Sequence, residues 1–439
     1  MKRLKILIVL LIIDIAGFAQ QNQKLTLQDA IKMGLENSKN LKLSSAKIDA
    51  ANAKYYQSID ATIPSLKLYS GYTRQSDIEA FKAQFPGNPE PVTFYPNIPN
   101  NYSSRASLSE TVFSGFRLKY AQASQKFLQQ AVSLDAQKDS DEVIFNIVNA
   151  YYNLYKIKQS QNIVTDNLEL VKQHLTDAVN WEKNGIATHN EVLKWQLQQS
   201  NVELTQLDLE NNLNVVNYNM NLMFGMNGDT KIEVDSASMF SSKDFKSLQD
   251  YMQQAFVNRG DLLAIDFRNE SFANALKVSQ NSYYPNIAVG ANYYYSRPNQ
   301  RIFPLKDGWH QTWDAGVTLS WDITNFYTNK HNVAEARANL SQTEQQKNIL
   351  SDAIKMEVNQ NYLTYIEAKK KIEVIEKSVT QADENYRITD NKYNNQLVLQ
   401  SELFDADNAL LQSKINLILA QSDSEVAYYK LLKSVGCIQ

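Results

Sequence analysis

Two carboxylates three residues apart, Glu402 and Asp405, lie in the stretch LVLQSELFDADNALLQSK and share one face of any helix formed there. A third acid, Glu191, follows His189 and Asn190 in GIATHNEVLKWQ. Carboxylates gathered in a narrow space repel one another and attract cations, whereas on a solvated helix face they need no role at all. His189-Asn190-Glu191 is the nearest thing to a catalytic cluster, and a solvated turn accounts for it better. His174, His310 and His331 are scattered, and no histidine has a second ligand at metal spacing. Cys437 is the only cysteine and cannot form an intramolecular disulfide. Nothing matches G-x-S-x-G, a P-loop, H-E-x-x-H or a cysteine pair, so neither an enzyme nor a cofactor or metal is expected. With 44 basic and 47 acidic residues the net charge is −3, which leaves no basic field for nucleic acid.

The elements that would position these acids are legible in the rest of the chain. MKRLKILIVLLIIDIAGFAQ has a basic start, an apolar run from Ile6 to Ile13 and a small-residue site at Gly17-Phe18-Ala19, which predicts a removed targeting segment over 1–19 and export from the cytoplasm. No later apolar run approaches the roughly 20 residues of a membrane helix. If the chain enters a membrane it must do so as a β-barrel.

The tripeptide LQD opens two helical stretches, at Leu27 and again 221 positions later at Leu248. The same offset pairs Asn37 with Asn258, Pro64 with Pro285 and Tyr72 with Tyr293. Further along the offset becomes 211 and pairs Leu108 with Leu319, Glu191 with Glu402 and Gly225 with Gly436. A register kept over such lengths is an internal duplication. We place the first repeat at 20–225, a linker at 226–245 and the second repeat at 246–439, with a longer loop between Tyr72 and Leu108 in the first copy.

All nine prolines fall in 64–99 or 285–304, while Phe116–Asn184 and Val317–Val435 contain neither proline nor glycine. Such breaker-free stretches predict very long helices, about 100 Å for the first if unbroken. Within it Val164, Leu168, Val171, Leu175 and Ala178 keep coiled-coil spacing. Upstream, Val143, Ile147 and Leu154 beside Ile144, Val148, Tyr151 and Tyr155 form a stripe broad enough for neighbours on two sides. Next to the prolines the period changes to two. Ile287, Val289, Ala291, Tyr293 and Tyr295 alternate with smaller or more polar residues, as do Trp313, Ala315, Val317, Leu319, Trp321 and Ile323. Leu66, Leu68 and Tyr72, then Ala106, Leu108 and Val112, repeat the pattern more weakly. Four runs of about ten residues with aromatic ends suit transmembrane strands. Four strands cannot close a barrel, so two, three or four chains would have to pool them.

In this order of elements the chain resembles the TolC family of outer-membrane efflux and secretion channels. The resemblance is carried by LTLQDAIKMGL, GIATHNEVLKWQ, LVLQSELFDADNALLQSK and the closing LLKSVG, and spans essentially the whole mature sequence. It implies a mainly α protomer with a β-barrel part. Three copies would form a twelve-stranded barrel in the outer membrane and an α-helical tunnel in the periplasm. It implies a passive duct for a tripartite efflux pump or type I secretion system. The partners would be a periplasmic adaptor (membrane fusion protein), an inner-membrane RND or ABC transporter, and outer-membrane lipid. It also implies that Glu402, Asp405 and Glu191 line a constriction at the periplasmic tip, and that Tyr393 helps hold it shut. Gly185 keeps the family's turn glycine, Gln396 replaces it in the second copy, and Val398 stands where a basic closing partner would be. A secreted coiled-coil scaffold or adhesin is the alternative, but it would need no lipid-compatible strands.

Overall fold

The computed structural model describes residues 23–235 and 245–438, so the expected targeting segment, at 1–19, lies outside the described residues. The chain divides into two compact units. The first takes the chain up to Ala46, Leu134–Leu263 and Ile349 onward; the second takes Lys47–Ser133 and Ala264–Asn348.

In the first unit a short strand β1 (Gln23–Leu25) leads into helix α1 (Leu27–Asn37) and the start of α2 (Lys39–Asp60). LQD recurs because its aspartate closes a capping box. Thr26 Oγ1 accepts from the Asp29 backbone N–H at 3.1 Å while the Asp29 carboxylate accepts from the Thr26 side. Ser247 and Asp250 repeat this at the start of α5 (Leu248–Asn258), with Ser247 Oγ accepting from the Asp250 N–H at 3.2 Å. Next come α3 (Arg117–Lys183) and α4 (His189–Phe224), one long antiparallel hairpin. After α5 and α6 (Gly260–Gln280), a second long hairpin follows as α7 (Asn325–Asn394) and α8 (Gln400–Ser434). Helix α3 has 67 residues and α7 has 70, because no residue in either frees or blocks a backbone hydrogen bond. The expected linker is not featureless: β6 (Ile232–Val234) pairs in parallel with β1.

The broad apolar stripe on α3 is the core of this unit. Ile147, Val148, Tyr151 and Leu154 are fully buried against Ala30 and Ile31 of α1, Met220 and Phe224 of α4, and Ile438. The coiled-coil seam is a second core: Val164, Leu168, Val171 and Ala178 pack with Val192, Trp195 and Leu403. The repeat extends to the backbone. Gly225 and Gly436, mates at offset 211, both end their helices at left-handed φ, 69° and 68°.

The second unit is built on one antiparallel sheet in the order β2-β5-β7-β8, from β2 (Ser65–Arg74), β5 (Asn100–Phe113), β7 (Asn286–Arg297) and β8 (His310–Ser320). Both edges, β2 and β8, are open among the described residues. The proline-rich loop of the first copy is not irregular throughout. It carries a small hairpin of β3 (Phe81–Ala83) and β4 (Val92–Tyr95). Helical segments below the strands meet through Phe127 stacked on Phe267 and a Ser124–Ser271 hydroxyl contact of 2.9 Å.

Candidate functional site

The two long hairpins turn in the same way. At the end of α3 the Gly185 N–H reaches Glu182 O at 2.9 Å and the Ile186 N–H reaches Trp181 O at 2.9 Å. At the end of α7 the Gln396 N–H reaches Tyr393 O at 2.9 Å and the Leu397 N–H reaches Lys392 O at 2.8 Å. Both pivot residues are left-handed, φ 70° at Gly185 and 61° at Gln396. Gln396 thus takes the glycine conformation without being glycine. Just past the turns, Glu191 lies in the first turn of α4 and Glu402 in the first turn of α8. Glu402 and Asp405 are both exposed and point away from Leu403 and Ala406, which are buried. Glu191 is half-buried, and its carbonyl accepts from Gln400 Nε2 at 2.9 Å. His189 is a solvated turn residue whose Nδ1 sits 2.8 Å from Glu182 Oε1.

Tyr393 is buried inside the protomer. Its ring lies 5.6 Å from that of Trp181, and Trp195 Nε1 approaches its hydroxyl at 3.5 Å. Burial pushes that hydroxyl's pKa up. Tyr393 therefore ties one hairpin to the other. Val398 packs against the same cluster, so an apolar contact stands at the basic position of the resemblance.

One group of side chains between the hairpins was not evident from sequence patterning. His174 stacks on Trp195 with ring centres 4.8 Å apart, and its Nε2 lies 3.3 Å from the Tyr386 hydroxyl and 3.9 Å from Asp390. Asp407, 4% exposed, accepts from Asn167 Nδ2 at 2.8 Å. Burial lowers the His174 pKa against the pull of Asp390, Asp407 and Asp177. Burial raises that of Asp407 against Asn167, His174 and Lys414. The signal was there: Ser160, Val164, Asn167, Val171, His174 and Ala178 step by four and three along α3, placing polar residues in a buried seam.

The outward faces of two helices are unpartnered. On α4, Leu193, Leu197, Leu204, Leu207, Val215, Tyr218 and Leu222 are exposed at helical spacing. On α7, Ile349, Met356, Leu363 and Val374 repeat at sevens and elevens. Among the described residues, α3 and α8 expose no large apolar side chain. Two such stripes in water call for partner helices.

The sheet separates polarity face by face. One face carries rows that cross all four strands: Leu66, Leu108, Ala291 and Ala315, then Leu68, Ala106, Tyr293 and Trp313. The opposite face carries Lys67, Ser107, Asn292 and Asp314, then Tyr69, Arg105, Tyr294 and Thr312. On the polar face Ser107 Oγ donates to Asn292 Oδ1 at 2.7 Å, and Asn292 Nδ2 donates to Asp314 Oδ1 at 2.8 Å. The Arg105 guanidinium sits 4.6 Å from the Tyr69 ring centre. Aromatic rings mark both ends of the apolar face: Tyr72, Tyr102, Tyr295 and Trp309 at one, Tyr283, Trp321 and Phe326 at the other. Strands of 10 to 14 residues, apolar on one side with aromatic girdles, have the dimensions of a tilted barrel wall in lipid. No helix among the described residues is long and apolar enough to cross a membrane, which says nothing against a barrel.

Comparison with known proteins agrees with this geometry. The profile of the family described as outer membrane efflux protein matches residues 30–223 and 251–437, one match in each repeat. Curated protein sequences give no match. Among solved structures, the outer membrane protein VceC of Vibrio cholerae superposes with a TM-score of 0.76 at 17% identity, covering 93% of this chain and 96% of that one. The CmeC outer membrane channel of Campylobacter jejuni gives 0.78 at 15%, covering 94% and 85%. A membrane protein from Pseudomonas aeruginosa gives 0.79 at 14%, covering 93% and 90%. At these identities the likeness is one of fold.

Proposed function

Because the chain belongs to the outer membrane efflux protein family, whose members are passive outer-membrane channels and not enzymes, we propose that it is the exit duct of a tripartite efflux pump. Three copies pool four strands each into a twelve-stranded barrel, with the apolar rows facing lipid and the polar rows facing the bore. The observation that carries this reading is the four-stranded sheet with two faces of opposite polarity and two open edges. An open edge facing lipid leaves backbone groups unpaired at several kcal/mol each, so the sheet is stable in a bilayer only when neighbours complete it. The stripes on α4 and α7 support the same assembly, since helices of neighbouring copies would cover them.

The long hairpins then continue the duct, and the exposed acids Glu402 and Asp405, with Glu191, line its narrow end. A periplasmic adaptor and an inner-membrane transporter, of an efflux pump or of a type I secretion system, would deliver cargo there. The reading is tested by native mass measurement of the detergent-extracted protein together with planar-bilayer recording. It expects three chains per particle and discrete conductance steps. A monodisperse single chain that leaves bilayers silent would refute it.

A further inference from the structure

The loop joining β7 to β8 is not free at the edge of the sheet; its first half turns onto the polar face. Asn299 is buried, and its Nδ2 donates to His310 O at 3.1 Å and Thr312 Oγ1 at 3.2 Å. Its Oδ1 accepts from the Arg301 N–H at 3.0 Å, which fixes where Arg301 leaves the backbone. The Arg301 guanidinium then pairs with Asp314 at 2.6 Å and lies 4.0 Å from the Tyr294 ring centre. Thr312, Asp314 and Tyr294 all belong to the polar rows. Two residues on, Phe303 stacks at 5.9 Å on Phe94 of β4, so the loop also grips the hairpin in the other long loop. The second half returns to the apolar face, where Asp307 pairs with Arg297 at 2.8 Å and Trp309 stacks on Tyr295 at 4.8 Å.

We propose that residues 299–303 form a tongue folded into the outer mouth of the barrel, where three copies make a second constriction whose size and charge are set by Arg301, Asp314 and Phe303. This rests on the polar face being the bore. The placement follows from contact, since a side chain that bonds Asp314 and covers Tyr294 occupies space above the polar wall. An ion pair about 40% exposed on each side is weak by itself, but the stacking and the Asn299 anchor give it one geometry. Phe303, 72% exposed, presents an apolar ring where cargo leaves. The duct would therefore select at both ends, by acids at the periplasmic tip and by a pinned tongue carrying a cation and an aromatic ring at the surface.

The test is polymer exclusion in planar bilayers with the full-length protein. Neutral polyethylene glycols of graded size are added to one side at a time, and the largest that still lowers conductance is recorded. Arg301→Ala and Asp314→Ala should each raise the cut-off on the barrel side and leave the tip side unchanged. The charge-swapped double variant, Arg301→Asp with Asp314→Arg, should bring it back. An unchanged barrel-side cut-off in both single variants and in a chain with 299–308 replaced by a short Gly-Ser turn overturns the tongue. If the unaltered protein gives no conductance steps at all, the duct reading fails first, which separates the two outcomes.

Discussion

Gln396 pays a conformational cost that its repeat mate avoids, and the cost can be measured. A side chain at left-handed φ brings Cβ against the following carbonyl, at roughly 1–2 kcal/mol. Glycine removes that strain but loses more backbone freedom on ordering, about 0.5–1 kcal/mol. Gln396→Gly should therefore stabilise the turn by about 0.5–1 kcal/mol, a two- to five-fold shift in local opening. Gly185 gives a clean converse. A Cβ there would meet nothing within 4 Å, so Gly185→Ala adds backbone strain with no clash and should cost about 1 kcal/mol. The readout is hydrogen exchange of the Leu397 and Ile186 amides, which donate across the two turns to Lys392 O and Trp181 O. Exchange at Leu397 should slow two- to five-fold in Gln396→Gly, and exchange at Ile186 should quicken about five-fold in Gly185→Ala. If both variants exchange like the unaltered protein, the left-handed turns are not where these hairpins store strain.

Three further expectations follow from the same geometry. Replacing Glu402 and Asp405 together by alanine should lower cation preference in reversal-potential measurements while leaving assembly intact; unchanged selectivity would remove both residues from the constriction. Asp407→Asn should alter how stability depends on pH: burial raises the Asp407 pKa, so its contribution is present at acid pH and lost as pH rises from about 4 through the raised value. The melting temperature of the unaltered protein should thus fall relative to Asp407→Asn over that window, and because Asp407 also acts on His174 the comparison is repeated in a His174→Gln background; parallel profiles in both backgrounds would count against a buried acid. External protease on intact cells should cut within residues 85–101, where five prolines gather, before any site in the long helices; cleavage only in broken cells would place that loop on the periplasmic side.

What the sequence made legible was what depends on local chemistry. The breaker-free window from Phe116 to Asn184 became α3 at Arg117–Lys183, because nothing in it interrupts helix propagation. Alternation placed the strand faces correctly for the same local reason, yet it overran at one end. Trp321 and Ile323 continue the alternating pattern, but β8 stops at Ser320, where Asp322 takes the Thr324 N–H and Trp321 donates to Tyr283 O. What stayed hidden depends on distant partners. The β1–β6 pair joins residues some two hundred positions apart and involves three residues a side. The β3–β4 hairpin sits among prolines that mark a loop without saying that part of it pairs. The interhelical set of buried Asn167, Trp195 and Asp407 with half-buried His174 and Tyr386 draws on four helices, and only the assembled hairpins turn a polar seam position into an interhelical contact.

The duplication also separates structural acids from functional ones. Glu191 and Glu402 are mates, and both occupy the first turn of a helix, where the N-terminal dipole favours an acid by about 0.3–1 kcal/mol whatever the protein does. Their shared presence is therefore explained by the helix start alone. Asp405 is different. Its mate is Lys194, also exposed and also three residues beyond the shared glutamate. In the first repeat the lysine can offset Glu191 along the helix face, while in the second repeat the same position doubles the negative charge. Neither helix propensity nor packing requires this difference, since both side chains point to solvent on equivalent scaffolds. A closed ring of three chains would then carry its excess of negative charge on α8 and not on α4. If the tip of the proposed duct prefers cations, Asp405 is the side chain whose charge departs from what the fold imposes.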